Sequence, residues 1–343
     1  MHKSANTKTG SLAAAASSVS VVSSARLHMG FFDLHGGLGR KFGSIGLSLA
    51  SPSKDLSIDL SAKPFQKLLI TAEDSVPRVI VERASAIAEQ FMHKVKIDSG
   101  LHLNIQQHIA EHAGLGSGTQ LALAIGTAIS QLYGLDLNTA QISALTARGG
   151  RSGIGIAAFD VGGLLIDGGR AFDAPESSVP PLLARYDFPE DWRILLVTDT
   201  SCPGVHGKQE IEAFKALPVF PENLAAHLCR HVLMQAMPAL VERDLNAFGK
   251  SIQVLQSHVG DYFAPAQGGR YASNKVAGAL QYLEKAGVAC FGQSSWGPTG
   301  FAVFENLEAA ENCLRQLKLT FSNNGLDWLI CSANNQGASI TLS

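Results

Sequence analysis

The sequence Gly-Leu-Gly-Ser-Gly-Thr-Gln at residues 114–120 constrains the fold of this chain more than any other segment. Before it, residues 101–106 alternate apolar and polar side chains, which is the period of a strand with one buried face. After it, residues 121–132 place apolar side chains at helical spacing, and Gly134 follows where a helix ends. The sequence therefore predicts a strand, a tight turn and a helix in succession.

Residues 114–120, which we call the glycine loop, have the features of a phosphate site. Glycines allow a tight turn and let the backbone approach a ligand without a Cβ atom in the way. The first N–H groups of a helix lack intrahelical acceptors and favour an anion. The segment lacks the Gly-Lys-Ser/Thr of a Walker loop and the glycine spacing of a Rossmann loop. An ordinary connection between a strand and a helix is the alternative interpretation.

Composition limits the class of protein. The 343 residues suffice for two domains, and the apolar (46%) and charged (16%) fractions are typical of a soluble globular protein. A net charge of −2 gives no field that would gather nucleic acid. The five cysteines are scattered without CxxC spacing, which predicts reduced thiols in a cytoplasmic protein. No apolar run is long enough to cross a bilayer, so we expect no membrane partner.

The chain divides into four predicted segments. Residues 1–24 are rich in Ser and Ala and predict a disordered tail rather than a signal peptide. Residues 25–170 form a first domain with the glycine loop, and residues 171–191 form a proline-containing connector. Residues 192–343 form a second domain. The fold class is α+β.

Several local predictions are specific. Residues 53–63 alternate weakly and predict an edge strand, and Asn138 predicts a capping box at the start of a short helix. Residues 156–169 predict paired strands that close the first domain. Residues 328–332 and 338–342 predict a final strand pair in the second domain.

Three glycine-rich stretches in this arrangement resemble the GHMP kinase superfamily, and more closely the β-ribofuranosylaminobenzene 5′-phosphate synthase family. The motifs that carry the resemblance lie at residues 26–36, 43–47, 111–120, 148–155, 159–163, 167–169 and 296–300. The resemblance covers the chain from about residue 25 onward. It implies a two-domain GHMP-kinase-like fold, with an N-terminal domain of the ribosomal protein S5 domain 2 type and a C-terminal α/β sandwich.

One motif departs from the kinases, which place an aspartate that activates the substrate hydroxyl in a Ser-Gly-x-Asp turn. This chain has Ser152-Gly-Ile-Gly155 instead. Phosphoryl transfer can proceed by positioning alone, so an ATP-dependent small-molecule kinase stays as the alternative function. The missing acid nevertheless favours a transferase, and it would also permit a catalytically silent sensor of a phosphorylated ligand.

The resemblance implies that phosphoribosyl pyrophosphate and 4-aminobenzoate react to β-ribofuranosylaminobenzene 5′-phosphate, pyrophosphate and CO2, in tetrahydromethanopterin biosynthesis. Whether 4-hydroxybenzoate replaces 4-aminobenzoate is left open by the sequence. The family also implies Mg²⁺ as cofactor, bridging phosphate oxygens, and a cytoplasmic homodimer. An arginine clamp on the benzoate carboxylate would oppose decarboxylation, so we expect no bidentate arginine there.

The candidate residues fall into three groups. The phosphate-binding residues are Gly114, Leu115, Gly116, Ser117, Gly118, Thr119, Gln120 and His112. The catalytic candidates are Arg148 and Arg151, whose guanidinium groups would fork onto phosphate oxygens, Asp33 for Mg²⁺ or ribose hydroxyls, and His28 for phosphate contact or proton transfer. Possible lid or acceptor contacts are Asp199, His206 and Lys208, with a capping or turn role as the alternative for Asp199. Which acids bind Mg²⁺ is left open.

Overall fold

The computed structural model describes residues 14–50, 56–175, 178–202, 204, 207–322 and 325–343. The strands, numbered in chain order, are β1 (Val19–Ser24), β2 (Arg26–Asp33), β3 (Arg40–Lys41), β4 (Gly43–Ala50), β5 (Ser57–Phe65), β6 (Leu69–Ala72), β7 (Gly100–Gln107), β8 (Leu164–Asp167), β9 (Arg170–Ala171), β10 (Leu182–Tyr186), β11 (Arg193–Asp199), β12 (Cys290–Gln293), β13 (Thr299–Phe304), β14 (Leu326–Ala333) and β15 (Ser339–Leu342). The helices are α1 (Arg78–Lys94), α2 (Ser117–Leu132), α3 (Thr139–Leu145), α4 (Ile154–Asp160), α5 (Gly207–Ala216), α6 (Glu222–His231), α7 (Met237–Val241), α8 (Leu245–Gln267), α9 (Asn274–Lys285) and α10 (Leu307–Thr320), with a π-helical turn at Val232–Ala236.

A five-stranded sheet in the order β15-β1-β5-β7-β6 supports the glycine loop. Strand β7 leads directly into the loop, and helix α2 leaves it and packs across β1 and β5. Twelve of the sixteen residues of α2 are buried, because the helix is apolar nearly all round. A helix enclosed in this way holds its N-terminal turn rigidly.

An eight-stranded sheet runs through both halves of the chain. Its order is β10-β8-β4-β14-β11-β13-β12, and β2 also pairs with β4. Strands β4 and β14 join the halves through the pairs Ala50–Ser332 and Leu49–Ala333. Helix α8 packs against β2 and β12, while α9 and α10 cover β11 and β13. The largest cluster of buried apolar side chains likewise draws on both halves.

The strand–turn–helix at the glycine loop and the Asn138 capping box are confirmed. The prediction of a disordered tail is wrong for residues 19–24, which form β1 with Val19 and Val21 buried in the first sheet. Residues 1–13 lie outside the described residues. The predicted connector contains β10, which pairs with β8.

Three further strand predictions are corrected. The segment predicted as paired strands begins with helix α4, because its short apolar run fits either period and its residues pack beneath β4 and β8. Strand β5 is an interior strand between β1 and β7, not an edge. Strands β14 and β15 do not pair with each other, since β15 returns to the first sheet.

Among the described helices, none has both the length and the apolar composition needed to cross a membrane.

Candidate active site

The glycine loop opens α2 with two N–H groups left available. Gly114 and Gly116 have φ values of 76° and 84°, a left-handed conformation that favours glycine. The N–H groups of Thr119 and Gln120 both donate to the Gly116 carbonyl at 3.1 Å. Within the described residues, the N–H groups of Ser117 and Gly118 have no acceptor. Of the residues predicted to bind phosphate, those in the first turn of α2 therefore offer the available backbone N–H groups.

Three guanidinium groups surround this turn. A Cβ atom built at Gly118 would lie 2.8 Å from Arg83 Nη2 and 3.4 Å from Arg148 Nη1. The Arg26 side chain crosses Gly116, with its Cζ atom 3.2 Å from the position of a Cβ there. Of these three arginines the sequence predicted only Arg148. Anionic charge at the available N–H groups would be met by all three.

Two of the three arginines are fixed in place by polar contacts. Arg83 forms an ion pair with Glu111, and Arg26 donates from Nη1 to the Gly114 carbonyl at 2.5 Å. Arg148 Nε is buried without a hydrogen-bond partner in the described structure. Burial lowers the pKa of Arg26 to about 10, and burial together with the charge of Arg83 lowers the pKa of Arg148. The site is thus crowded with positive charge that a bound anion would stabilise.

Arg26 and Arg148, but not Arg83, line a cleft of about 640 Å³. Its charged lining residues are Arg26, Lys41, Arg148, Arg151, Arg170, Lys215 and Glu210. Glu210 is the one carboxylate among the described residues that line the cleft, and its Oε2 lies 2.9 Å from Arg151 Nη2. The Arg151 guanidinium also lies over the Phe214 ring, with Cζ 5.1 Å from the ring centroid. The excess of cations suits a multiply charged anionic ligand.

Residues 148–153, which we call the arginine loop, are anchored by the buried carboxylate of Asp167. Its Oδ2 atom accepts hydrogen bonds from Ser44 Oγ (2.6 Å), Ser152 Oγ (2.9 Å) and the Gly153 N–H (2.8 Å). Burial raises the pKa of Asp167, although these hydrogen bonds oppose the rise. The contacts tie the loop that carries both predicted arginines to strands β4 and β8.

An aromatic wall borders the cleft. Its rings belong to Phe31, Phe42, Phe214, Phe263 and Trp296. Phe214 lies 5.5 Å from Phe42 and 5.4 Å from Trp296, centroid to centroid. A narrow pocket of about 30 Å³, room for roughly one water, is lined by Phe263 and Trp296 and shares His28 and Phe31 with the cleft. An apolar surface thus adjoins the cationic one.

His28 lines both the cleft and the narrow pocket. Its side chain is 4% exposed, and its Nε2 atom has no hydrogen-bond partner in the described structure. Burial and the charge of Arg26 lower the pKa of His28 to about 3. The imidazole is therefore neutral at physiological pH, and it faces the site as the sequence predicted.

Several predicted site residues do not line the cleft. Asp33 Oδ1 accepts the N–H groups of His35 and Gly36 in the hairpin turn, at 2.9 and 3.0 Å. Asp199 is buried; its Oδ1 accepts from the Ser201 N–H at 3.0 Å, a turn contact, and its Oδ2 accepts from Ser273 Oγ at 2.7 Å.

Four predicted residues next to the cradle have structural contacts. Leu115 is part of the core, and Gln120 Nε2 donates to the Gly155 carbonyl at 2.7 Å. The Gly114 carbonyl accepts from Ser294 Oγ at 2.7 Å. His112 has a left-handed backbone, and its carbonyl accepts the N–H of Gly204. These contacts help to hold the glycine loop in its conformation.

His206 lies outside the described residues. Lys208 belongs to helix α5, but its side chain lies outside the described part of the structure. The described residues contain no cluster of three or more His, Cys, Asp or Glu side chains that would hold a metal ion.

A side chain would be crowded at the position where the kinases carry an aspartate. A Cβ atom built at Gly155 would lie 3.1 Å from Thr119 Cγ2, a close contact with a side chain in the first turn of α2. The Thr119 methyl group would have to move by a few tenths of an ångström. Glycine at this position therefore suits the close packing of α4 against α2.

The comparisons with known proteins agree with this geometry. Residues 80–163 match the family model "GHMP kinases N terminal domain", and residues 236–323 match "GHMP kinases C terminal". A β-ribofuranosylphenol 5′-phosphate synthase of Archaeoglobus fulgidus is 34% identical over 327 residues, covering 92% of this chain and 97% of that protein. The protein of the same name from Methanocaldococcus jannaschii is 37% identical over 298 residues, covering 81% and 87%.

Solved structures share the fold. The homoserine kinase of Cytophaga hutchinsonii superimposes with a TM-score of 0.64 at 16% identity, covering 95% of this chain and 98% of that one. The predicted α+β, GHMP-kinase-like fold is confirmed. The chain therefore belongs to the β-ribofuranosylphenol 5′-phosphate synthase family within the GHMP kinase superfamily, and it is an enzyme of the glycosyltransferase type.

Proposed function

We propose that this enzyme condenses phosphoribosyl pyrophosphate with 4-aminobenzoate or 4-hydroxybenzoate and releases pyrophosphate and CO2. The observation that carries the proposal is the meeting of the available N–H groups of Ser117 and Gly118 with three arginine side chains. Donors fixed where charge develops stabilise a departing diphosphate without reorganisation. The curated relatives, named for a ribofuranosylphenol 5′-phosphate, support a product of this type.

The reaction balances without a protein base. The ring carbon that bears the carboxylate bonds to the ribose anomeric carbon as the bond to the diphosphate oxygen breaks. The electron pair of the ring–carboxylate bond then returns to the ring as CO2 leaves. No proton has to be removed, which suits a neutral His28 with a pKa of about 3. We therefore assign His28 a contact with the acceptor in place of proton transfer.

The aromatic wall supports an aromatic acceptor beside the diphosphate, since aromatic rings pack favourably against each other. Arg270 lines the narrow pocket, but its guanidinium is already paired with Asp261 through contacts of 2.7 and 2.9 Å. It therefore offers the acceptor carboxylate no free bidentate partner. Arg270 is therefore not a clamp that would hold the carboxylate in the ground state.

Glu210 is the candidate to share Mg²⁺ with the substrate. Mg²⁺ is usually bound by one or two carboxylates together with substrate phosphates, and Glu210 supplies one such carboxylate in the cleft. The ion, when bound, offsets the charge of the diphosphate. A homodimer, a cytoplasmic location and a role in tetrahydromethanopterin biosynthesis are further proposals that the family resemblance implies.

The test uses purified protein with phosphoribosyl pyrophosphate, Mg²⁺ and either acceptor labelled at the carboxyl carbon. We expect labelled CO2 and pyrophosphate in equal amounts, and loss of both when EDTA is added. ATP consumption without CO2 release would favour the kinase alternative. Neither signal would favour a sensor of a phosphorylated ligand. The relative kcat/KM of the two acceptors decides which is the substrate.

A further inference from the structure

A second basic cluster lies in the same cleft, away from the glycine loop in the sequence. Strands β3 and β9 form a two-stranded ribbon in which Lys41 and Arg170 are direct partners. Lys215 of helix α5 is the third member, and all three line the cleft. We call these three residues the ribbon cluster. Within the described residues, none of them forms an ion pair.

The positive charges of the ribbon cluster repel one another, and the ribbon holds them close together. Like charges directly opposite each other across two strands are destabilising. The neighbouring Arg40 fixes the ribbon by donating from Nε to the Gly168 carbonyl (2.9 Å) and from Nη2 to the Gly169 carbonyl (2.8 Å). Arg170 itself makes one weak contact, from Nη2 to the Ala174 carbonyl at 3.2 Å. Lys41 Nζ lies over the Phe42 ring, 5.4 Å from its centroid, so the paired cations meet a ring and a carbonyl but no carboxylate among the described residues.

Arg26 and Arg148, which lie at the glycine loop, line the same cleft as the ribbon cluster, and this limits the ligand. Arg26, Arg83 and Arg148 serve the available N–H groups of α2, while Glu210 already neutralises Arg151. A nucleoside triphosphate concentrates its charge at one end and has a neutral base at the other. A pentose with a diphosphate at one carbon and a phosphomonoester at another has charge at both ends.

We infer that the ribbon cluster of Lys41, Arg170 and Lys215 binds the phosphomonoester of a pentose phosphate whose diphosphate lies at the glycine loop. This inference rests on the proposed function, since it takes a phosphorylated sugar diphosphate as the substrate. It gives the cleft two separate phosphate subsites. Each subsite is formed by its own residues and is open to its own probe.

The experiment measures binding of two half-ligands to the full chain by calorimetry. Ribose 5-phosphate probes the ribbon cluster, and inorganic pyrophosphate probes the glycine loop. The double variant Lys41→Met/Arg170→Met is expected to bind ribose 5-phosphate about tenfold to a hundredfold more weakly, with pyrophosphate affinity within about twofold. Arg148→Met is expected to show the opposite pattern. Arg78→Met, on an exposed face of α1, removes one positive charge as the matched control and should leave both affinities unchanged.

An equal loss of affinity for both probes in the ribbon variant would show that the cluster acts only through its general electrostatic field. This result would overturn the inference. Unchanged ribose 5-phosphate affinity, or no measurable binding of it to the parent protein, would overturn it as well. Thermal unfolding of each variant checks the fold, and the ribbon variant should be no less stable because repulsion is removed. If the crossed pattern appears but no CO2 is released, the subsites stand and the proposed reaction fails.

Discussion

Gly118→Ala separates the functional role of the glycine loop from its structural role. Gly118 is the second residue of α2 and has a helical backbone, so alanine fits its conformation. The added methyl group would lie 2.8 Å from Arg83 Nη2 and 3.4 Å from Arg148 Nη1. The first distance is shorter than real contacts allow, so the Arg83 guanidinium must move away. The methyl group then occupies the space where an anion would meet both arginines.

Stability and activity are expected to change in opposite directions. Replacing glycine by alanine in a helix stabilises a protein by about 0.5–1 kcal/mol when the backbone is compatible. Losing one charge-assisted hydrogen bond to phosphate costs about 1.5–3 kcal/mol, which corresponds to about a tenfold to hundredfold loss in kcat/KM. Gly118→Ala should therefore be at least as stable as the parent and much less active.

The assay combines thermal unfolding with steady-state release of CO2 and inhibition by pyrophosphate. Gly278→Ala, on α9 and far from the glycine loop in sequence, is the matched control, because a Cβ there makes only an ordinary contact of 3.5 Å with Phe321. The control should gain similar stability and keep its kinetics. Parent-like kinetics and pyrophosphate inhibition in Gly118→Ala would refute the assignment of the first turn as an anion site.

Arg148→Ala or Arg151→Ala should each lower kcat/KM for the phosphorylated substrate at least about tenfold, because each removes a charged donor; unchanged kinetics in both would remove the arginine loop from the site. Asp167→Asn should lower the free energy of unfolding by about 2–3 kcal/mol, since an amide cannot accept every hydrogen bond of the buried carboxylate. Denaturant titration measures the loss of stability, and a parent-like unfolding midpoint would contradict the prediction. The pKa of His28 is lowered from 6.5 to about 3 in the folded protein, so the unfolded chain binds the extra proton between these pH values and stability falls as pH falls. Each pH unit below 6.5 should cost about 1.4 kcal/mol in the parent and not in His28→Gln, and equal slopes in the two proteins would contradict the buried, neutral assignment.

The sequence predicted elements well where the signal is local. Strand β7, the glycine loop and α2 follow from period and glycine placement alone. Helix α4 was missed because a short apolar run has no decisive period. Strand β1 was missed because its partners, β5 and β15, are distant in the sequence and no local pattern announces the pairing.

The candidate site was predicted in part for the same reason. Arg148 and Arg151 stand out in a glycine-rich turn, and the structure places both in the cleft. Arg83 reaches the glycine loop only because α1 packs beside α2, which a single sequence does not reveal. The sequence offers one hint of the position of Arg83, the acid Glu111, which lies three residues before the glycine loop and forms an ion pair with Arg83. Asp33 was predicted to bind Mg²⁺ or ribose hydroxyls, but its carboxylate accepts the N–H groups of the hairpin turn that follows.

The pairing of β1 with β15 has a consequence for synthesis on the ribosome. Val19 pairs with Leu342, and Ser17 Oγ donates to the Ser343 carbonyl across a separation of 326 residues. Contacts of such long range slow folding, because the intervening loop must close first. Until β15 has been translated, a nascent β1 that has already paired with β5 leaves its other side open to strands from other chains. Once β15 has paired with β1, the four-residue β15 becomes the edge of the sheet, and a short edge strand offers other chains less to pair with.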